Sequence, residues 1–171
     1  MTATRQPVRR VGIDELPALL GQTLGPSAPL LITQDRIDEF AAATGDQQWL
    51  HVDPGRAAAG PFGITIAHGY LTLSLFTTML WSLLEVPDAA QVINYGLGKV
   101  RFPASVPAGC ELSLTARVDA VTQVADGHQL TFAGTFTRNG TYRPACVLEA
   151  IFRYCRPGPA TLLDPDTLTE E

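Results

Sequence analysis

From Ala57 to Leu84 the chain carries no Asp, Glu, Lys or Arg. A run of that length without charge has to leave water, so it enters either a bilayer or a protein core. Its second half predicts one long helix over Gly69–Glu85, halted before Pro87. Leu71, Leu73, Leu75, Phe76, Met79, Leu80, Leu83 and Leu84 spread apolar surface almost all round it. Its only polar stripe is small: Ser74, Thr77, Thr78 and Ser82. A helix with no wet face is a buried helix. Pro61, several glycines and His68 interrupt the first half, which favours a core element over a membrane span.

Past Pro87 the apolar period changes from 3.6 to 2. Ile93, Tyr95 and Leu97 alternate, and the parity slips at Gly98 before Val100 and Phe102, as a β-bulge would make it. Leu112, Leu114, Ala116, Val118 and Ala120 alternate with polar neighbours. Asp126-Gly127 and Asn139-Gly140 are hairpin turn signals. They introduce strands carrying Leu130, Phe132, Gly134 and Phe136, then Cys146, Leu148, Ala150, Phe152 and Tyr154. His128, beside the first turn, is expected in solvent. Upstream, Thr33 caps a helix with a stripe at Ile37, Phe40, Ala41 and Thr44 that Gly45 ends. Asp53-Pro54 opens a second helix that Gly60 stops. The pattern is α+β: an antiparallel β-sheet wrapped around one long buried helix, the hot-dog arrangement.

At 171 residues the chain is one domain. Residues 1–29, with four prolines and one short helix near Ile13–Leu20, read as an N-terminal extension. Residues 30–156 form the domain, and 157–171 an acidic C-terminal tail. Twelve basic against seventeen acidic residues, with Lys99 the sole lysine, leave no basic stripe for nucleic acid. Cys110, Cys146 and Cys155 are odd in number and far apart, so they suit buried free thiols in a reducing cytoplasm. The N-terminal residues lack the apolar run of a signal peptide.

Chemistry concentrates in two stretches. The first runs Thr44-Gly45-Asp46-Gln47-Gln48-Trp49-Leu50-His51-Val52-Asp53-Pro54. On a helix Asp46 and His51 would diverge by about 140°, and on a strand they would face opposite ways. They meet only in an irregular segment, which Gly45 and Pro54 favour. Held together, a carboxylate and an imidazole can activate one water. A helix-capping carboxylate and a hydrogen-bonded core histidine would explain the same residues. The second stretch, Gly60 to Leu71, leads through His68 and Gly69 into the buried helix. The first N–H groups of a helix lack internal acceptors and sit at its positive end. Gly69 lets a ligand approach closely, which is what an oxyanion hole requires. Close packing of Gly69 against a strand is the competing explanation. His68 reads as a structural hydrogen-bonder, and no histidine has metal-ligand spacing with another.

Gly45-Asp46-(x4)-His51-(x5)-Ala57 resembles the signature of the MaoC-like, R-specific enoyl-CoA hydratases. Ile66-Ala67-His68-Gly69 and Tyr95-Gly96-Leu97-(x)-Lys99-Val100-Arg101-Phe102-Pro103 resemble the same family. The likeness runs from about Leu31 to Tyr154, with three motifs in order. It implies a hot-dog fold and reversible syn addition of water to trans-2-enoyl thioesters of coenzyme A or a carrier protein, giving (R)-3-hydroxyacyl thioesters. It implies Asp46 and His51 as the acid–base pair, Gly69 N–H as the donor to the thioester carbonyl, and Thr77, or Ser74 instead, as a supporting hydroxyl. Gln48-Trp49 replaces the family's usual Asn-Pro. Arg56, Lys99 and Arg101 are candidates for coenzyme A phosphates, although a solvated strand face explains them as well. No metal or redox cofactor is needed, and a homodimer or larger assembly through sheet edges is expected. Two other functions fit a hot-dog chain: an acyl-CoA thioesterase, disfavoured because Gly69–Leu84 holds no acid, and a silent acyl-CoA-binding partner subunit, disfavoured by the presence of both Asp46 and His51.

Overall fold

The computed structural model describes residues 7–158. In chain order come β1 (Arg9–Arg10), a 3-10 turn at Ile13–Leu19, β2 (Thr23–Leu24) and β3 (Leu30–Leu31). Helices α1 (Gln34–Thr44), α2 (Trp49–Val52), α3 (Pro54–Ala58) and α4 (Gly69–Trp81) follow. After β4 (Leu84–Glu85) the long strands are β5 (Gln91–Arg101), β6 (Glu111–Val124), β7 (Gly127–Arg138) and β8 (Pro144–Cys155). The sheet runs β2-β6-β7-β8-β5, with β3 also paired to β6, so among the described residues β5 is an edge strand. Every pairing among the long strands is antiparallel.

Strand alternation decides which face is core. Leu112, Leu114, Leu130, Phe132, Phe136 and Phe152 point inward and are buried, and α4 lies across that face against β6 and β8. Phe76 of α4 sits among Phe132, Phe136 and Phe152, with ring centroids 6.2, 6.5 and 5.8 Å away. Gly134 makes room for it: a Cβ there would lie 2.6 Å from the Phe76 ring. Upstream, Thr33 Oγ1 accepts from Arg36 N–H, and Gly45 ends α1 in the left-handed region at φ 77°. The hot-dog arrangement expected from the sequence is the fold observed.

Several local expectations need correction. The long helix ends at Trp81, not Glu85. Ser82 Oγ donates back to the Met79 carbonyl, and Leu84–Glu85 leave to pair in parallel with β1. Arg9 N–H bonds Leu83 O at 2.8 Å, and Val11 N–H bonds Glu85 O at 3.1 Å. The N-terminal segment thus offers the backbone a better partner than another helical turn. Helix α4 also has an open face: Tyr70 is 73% and Trp81 57% exposed, because the sheet covers only one side. In β6 a bulge lies between Val118 and Ala120. The parity flips there, so Val121 rather than Ala120 packs on the core. The slip in β5 is two irregularities, between Asn94 and Gly96 and between Leu97 and Val100.

His128 is buried, not solvated. It stands on a central strand between Gln123 of β6 and Tyr154 of β8. Within the stretch read as an extension, Ile13, Leu16 and Leu19 belong to the main core. The C-terminal tail lies outside the described residues beyond Gly158.

Candidate active site

Asp46 follows the left-handed Gly45, and three residues later the chain winds into the single turn of α2, which carries His51. That combination turns the two side chains toward each other. Leu50 O accepts from Ile66 N–H at 3.0 Å, and His51 Nδ1 meets Ile66 O at 2.6 Å. A carbonyl only accepts, so Nδ1 carries the hydrogen and Nε2 holds the free lone pair. Burial lowers the His51 pKa; the Ile66 carbonyl and the Asp46 charge pull it upward and His68 pulls it down, and burial prevails. The ring is thus neutral near pH 7 and able to accept a proton at Nε2.

His68 is the last residue before α4 and is 2% exposed. Its Nε2 lies 3.0 Å from the Asp46 main-chain oxygen and 3.9 Å from Oδ2 of the same residue. The His51 and His68 rings stack, centroids 3.7 Å apart and planes 26° off parallel. Asp46, His51 and His68 each bring one ligating atom within 4.8 Å of the others. Stacked rings do not suit a metal. Their lone pairs lie in near-parallel planes, whereas Zn²⁺ needs them aimed at one point about 2.0–2.1 Å from each nitrogen. Among the described residues Asp46 and His51 make no direct ion pair. Their separation, within 4.8 Å, suits one water, since two hydrogen bonds through it span about 4.5 Å.

Gly69 is the first residue of α4, so its N–H has no acceptor within the helix. It lines a cavity of about 300 Å³ with His51, Ile66, Thr72, Phe102 and Ala145. The close-packing explanation of Gly69 has a direct counterpart in the structure. Gly69 borders the cavity, and a Cβ there would stand 3.1 Å from the Phe102 ring. Ser74 and Thr77 face a different, apolar cavity of about 360 Å³, shared with Phe40, Leu73, Asn94 and Phe152. Ser74 Oγ donates to Leu71 O, so the structure does not join either hydroxyl to the Asp46–His51 pair. Gln48 is exposed, its N–H reaching Asp46 Oδ1 at 3.4 Å. The Arg56 guanidinium lies over the Trp49 ring at 4.6 Å. Lys99 and Arg101 are exposed on the edge strand.

Two supports carried no sequence signal. Gln34 Nε2 donates to His51 O at 2.8 Å, and Thr65 Oγ1 donates to Gln34 Oε1. A glutamine opening a helix and a threonine in a loop are too common to mark a site.

The family profile described as MaoC like domain matches residues 15–137. The chain belongs to the MaoC-like family. A curated relative, 3-hydroxyacyl-thioester dehydratase Z of Mycobacterium tuberculosis, is 46% identical over 143 residues, 83% of this chain and 95% of the relative. Among solved structures, the (R)-hydratase from A. caviae involved in PHA biosynthesis superimposes with a TM-score of 0.64 at 26% identity, covering 78% of this chain and 95% of that one. R-hydratase PhaJ1 from Pseudomonas aeruginosa, in the unliganded form, has a TM-score of 0.65 at 23% identity, covering 84% and 88%. The MaoC-like resemblance carried by the Gly45–Ala57, Ile66–Gly69 and Tyr95–Pro103 motifs is thereby confirmed.

Proposed function

We propose that this MaoC-like protein is a hydro-lyase on acyl thioesters, interconverting a trans-2-enoyl thioester and water with the (R)-3-hydroxyacyl thioester. The single observation that carries the site assignment is the locked His51 ring: a neutral, buried imidazole with its lone pair free, a ligating atom of which lies within 4.8 Å of an Asp46 carboxylate oxygen. The dehydratase relative supports the reaction class. His51 Nε2 takes a proton from water as the oxygen bonds to C3, while Asp46 holds the water's other hydrogen. Negative charge gathers on the thioester oxygen, where the Gly69 N–H stabilises it. The proton taken from water returns from the pair to C2, so both atoms of water's O–H bond end on the substrate. No metal or redox cofactor enters these steps.

The acyl-CoA or carrier-bound thioester is the proposed ligand, with Arg56, Lys99 and Arg101 as candidates for its phosphates. Gln48 keeps a supporting role in this reading through its N–H to Asp46 Oδ1, whereas Ser74 and Thr77 line the apolar cavity instead. A second copy of the chain is proposed along β5. The free state of all three cysteines accords with a cytoplasmic setting, and no helix among the described residues is long and apolar enough to cross a membrane. The test is the absorbance of the conjugated enoyl thioester. Hydration removes the band without releasing thiol; thiol release would instead indicate a thioesterase, and no change a binding subunit.

A further inference from the structure

We propose that His68 is a positioning residue, whose Nε2–H anchors Asp46 by its main-chain carbonyl and so holds the carboxylate at one water's distance from His51. The inference rests on the proposed pairing of Asp46 with His51 and adds the device that maintains it.

Asp46 needs an anchor. It stands in the loop between α1 and α2, and its side chain is 54% exposed. Its own local bonds are long: Asp46 N–H to Thr44 Oγ1 and Gln48 N–H to Asp46 Oδ1 are both 3.4 Å. The 3.0 Å contact from His68 is shorter and reaches across the fold. The His68 ring has no freedom to wander. Phe40 of α1 packs on one side at 5.0 Å between centroids, and His51 stacks at 3.7 Å. Because the Asp46 carbonyl can only accept, Nε2 carries the hydrogen. Nδ1 is buried and has no hydrogen-bond partner among the described residues. The same ring therefore fixes the position of Asp46 and shields one face of His51.

The groups facing the stacked pair are few. Asp46 supplies the charge; Ile66 O, Phe40 and Thr72, whose hydroxyl reaches His68 O at 3.4 Å, are neutral. Asp46 pulls the His51 pKa upward. That pull is a gauge of whether the carboxylate stays in place, and it needs no substrate.

Two variants separate donor from ring. His68→Gln keeps an amide N–H near the position of Nε2 and loses the flat ring. His68→Phe keeps a flat ring and loses the donor. With only three histidines in the chain, ¹⁵N-histidine spectra follow the His51 titration directly. Asp46→Asn should lower the His51 midpoint in the wild type and in the His68→Gln background, but leave it unmoved in the His68→Phe background. For turnover of an enoyl thioester, His68→Phe should lower kcat about tenfold or more with KM nearly unchanged, since small misplacement of a reacting group costs that much. His68→Gln should recover most of it. If the larger ring prevents folding, His68→Leu removes the same donor and the same comparison decides. An equal effect of Asp46→Asn in all backgrounds would overturn the proposal. If the titration behaves as expected but the wild type does not hydrate enoyl thioesters, His68 still positions Asp46 and the assigned reaction is what fails.

Discussion

His51 Nδ1 and the Ile66 carbonyl stand 2.6 Å apart, and that one hydrogen bond decides which nitrogen of His51 can do chemistry. It ties the helical turn carrying His51 to the segment leading into α4. It also leaves Nε2 as the only basic atom of the ring.

The first prediction concerns pH. Burial, the largest influence, holds the His51 pKa below the usual histidine value, which is about 6.5. Below that value the unfolded chain binds a proton that the folded chain refuses. Stability should therefore be full above about pH 6.5 and decline as pH falls through the unfolded value toward the folded one. His51→Gln should flatten this decline in urea titrations between pH 7 and 5. The acid limb of kcat/KM for hydration should likewise lie below pH 6.5. A stability slope identical in wild type and His51→Gln would show that His51 is not the group being refused its proton.

Gly69 gives a second. His68 has ψ 141°, a conformation that a following proline accepts, and Gly69 occupies the first helical position, where proline is tolerated. Gly69→Pro should fold, lose the N–H and lower kcat by about 10²–10³-fold with a smaller change in KM. Gly69→Ala keeps the donor but sets its Cβ against Phe102. Phe102 is partly exposed and can shift, so the alanine variant should lose much less. Unchanged kcat in a folded Gly69→Pro protein would place the carbonyl donor elsewhere.

Much of this arrangement is visible in the residue pattern, and the exceptions share a cause. Strict alternation in β7 and β8 places Phe132, Phe136 and Phe152 in the core because a pleated strand allows no other outcome. Thr33, Gly45 and Asp53-Pro54 mark helix ends through local chemistry. The stack of His51 on His68 is not local. It arises because Ile66 bridges two segments, and no spacing in the chain announces that. His128 illustrates the same limit: a turn signal beside it suggested solvent, but burial came from neighbours on β6 and β8. Helix α4 stops early for a non-local reason too, since β1 captures Leu83 and Glu85. The helix as a whole read as buried, yet the sheet covers only one side of it and leaves Tyr70 and Trp81 exposed.

A third prediction follows from the stacked rings. The lone pairs of His51 and His68 do not converge, so hydration should be indifferent to EDTA and to added divalent ions. Loss of activity on chelation, restored by one metal, would mean that the rings part to admit it.

The exposed edge of β5 supplies a fourth. Among the described residues its backbone pairs only with β8, and Leu97 and Phe102 stand exposed on it and just past its end. Natural sheets cover long apolar edges. Sedimentation at micromolar concentration should give a dimer or larger species, and a fully active monomer would contradict this.

The most direct measurement of the central claim is a double-mutant cycle on enoyl-thioester hydration with Asp46→Asn, His51→Ala and both together. Each single change should lower kcat/KM by about 10²-fold or more, the usual worth of a positioned acid or base. The double variant should fall little below the worse single one, because the two residues act on one water as a unit. Near wild-type rates in either single variant, or losses that simply multiply, would contradict a shared role for Asp46 and His51.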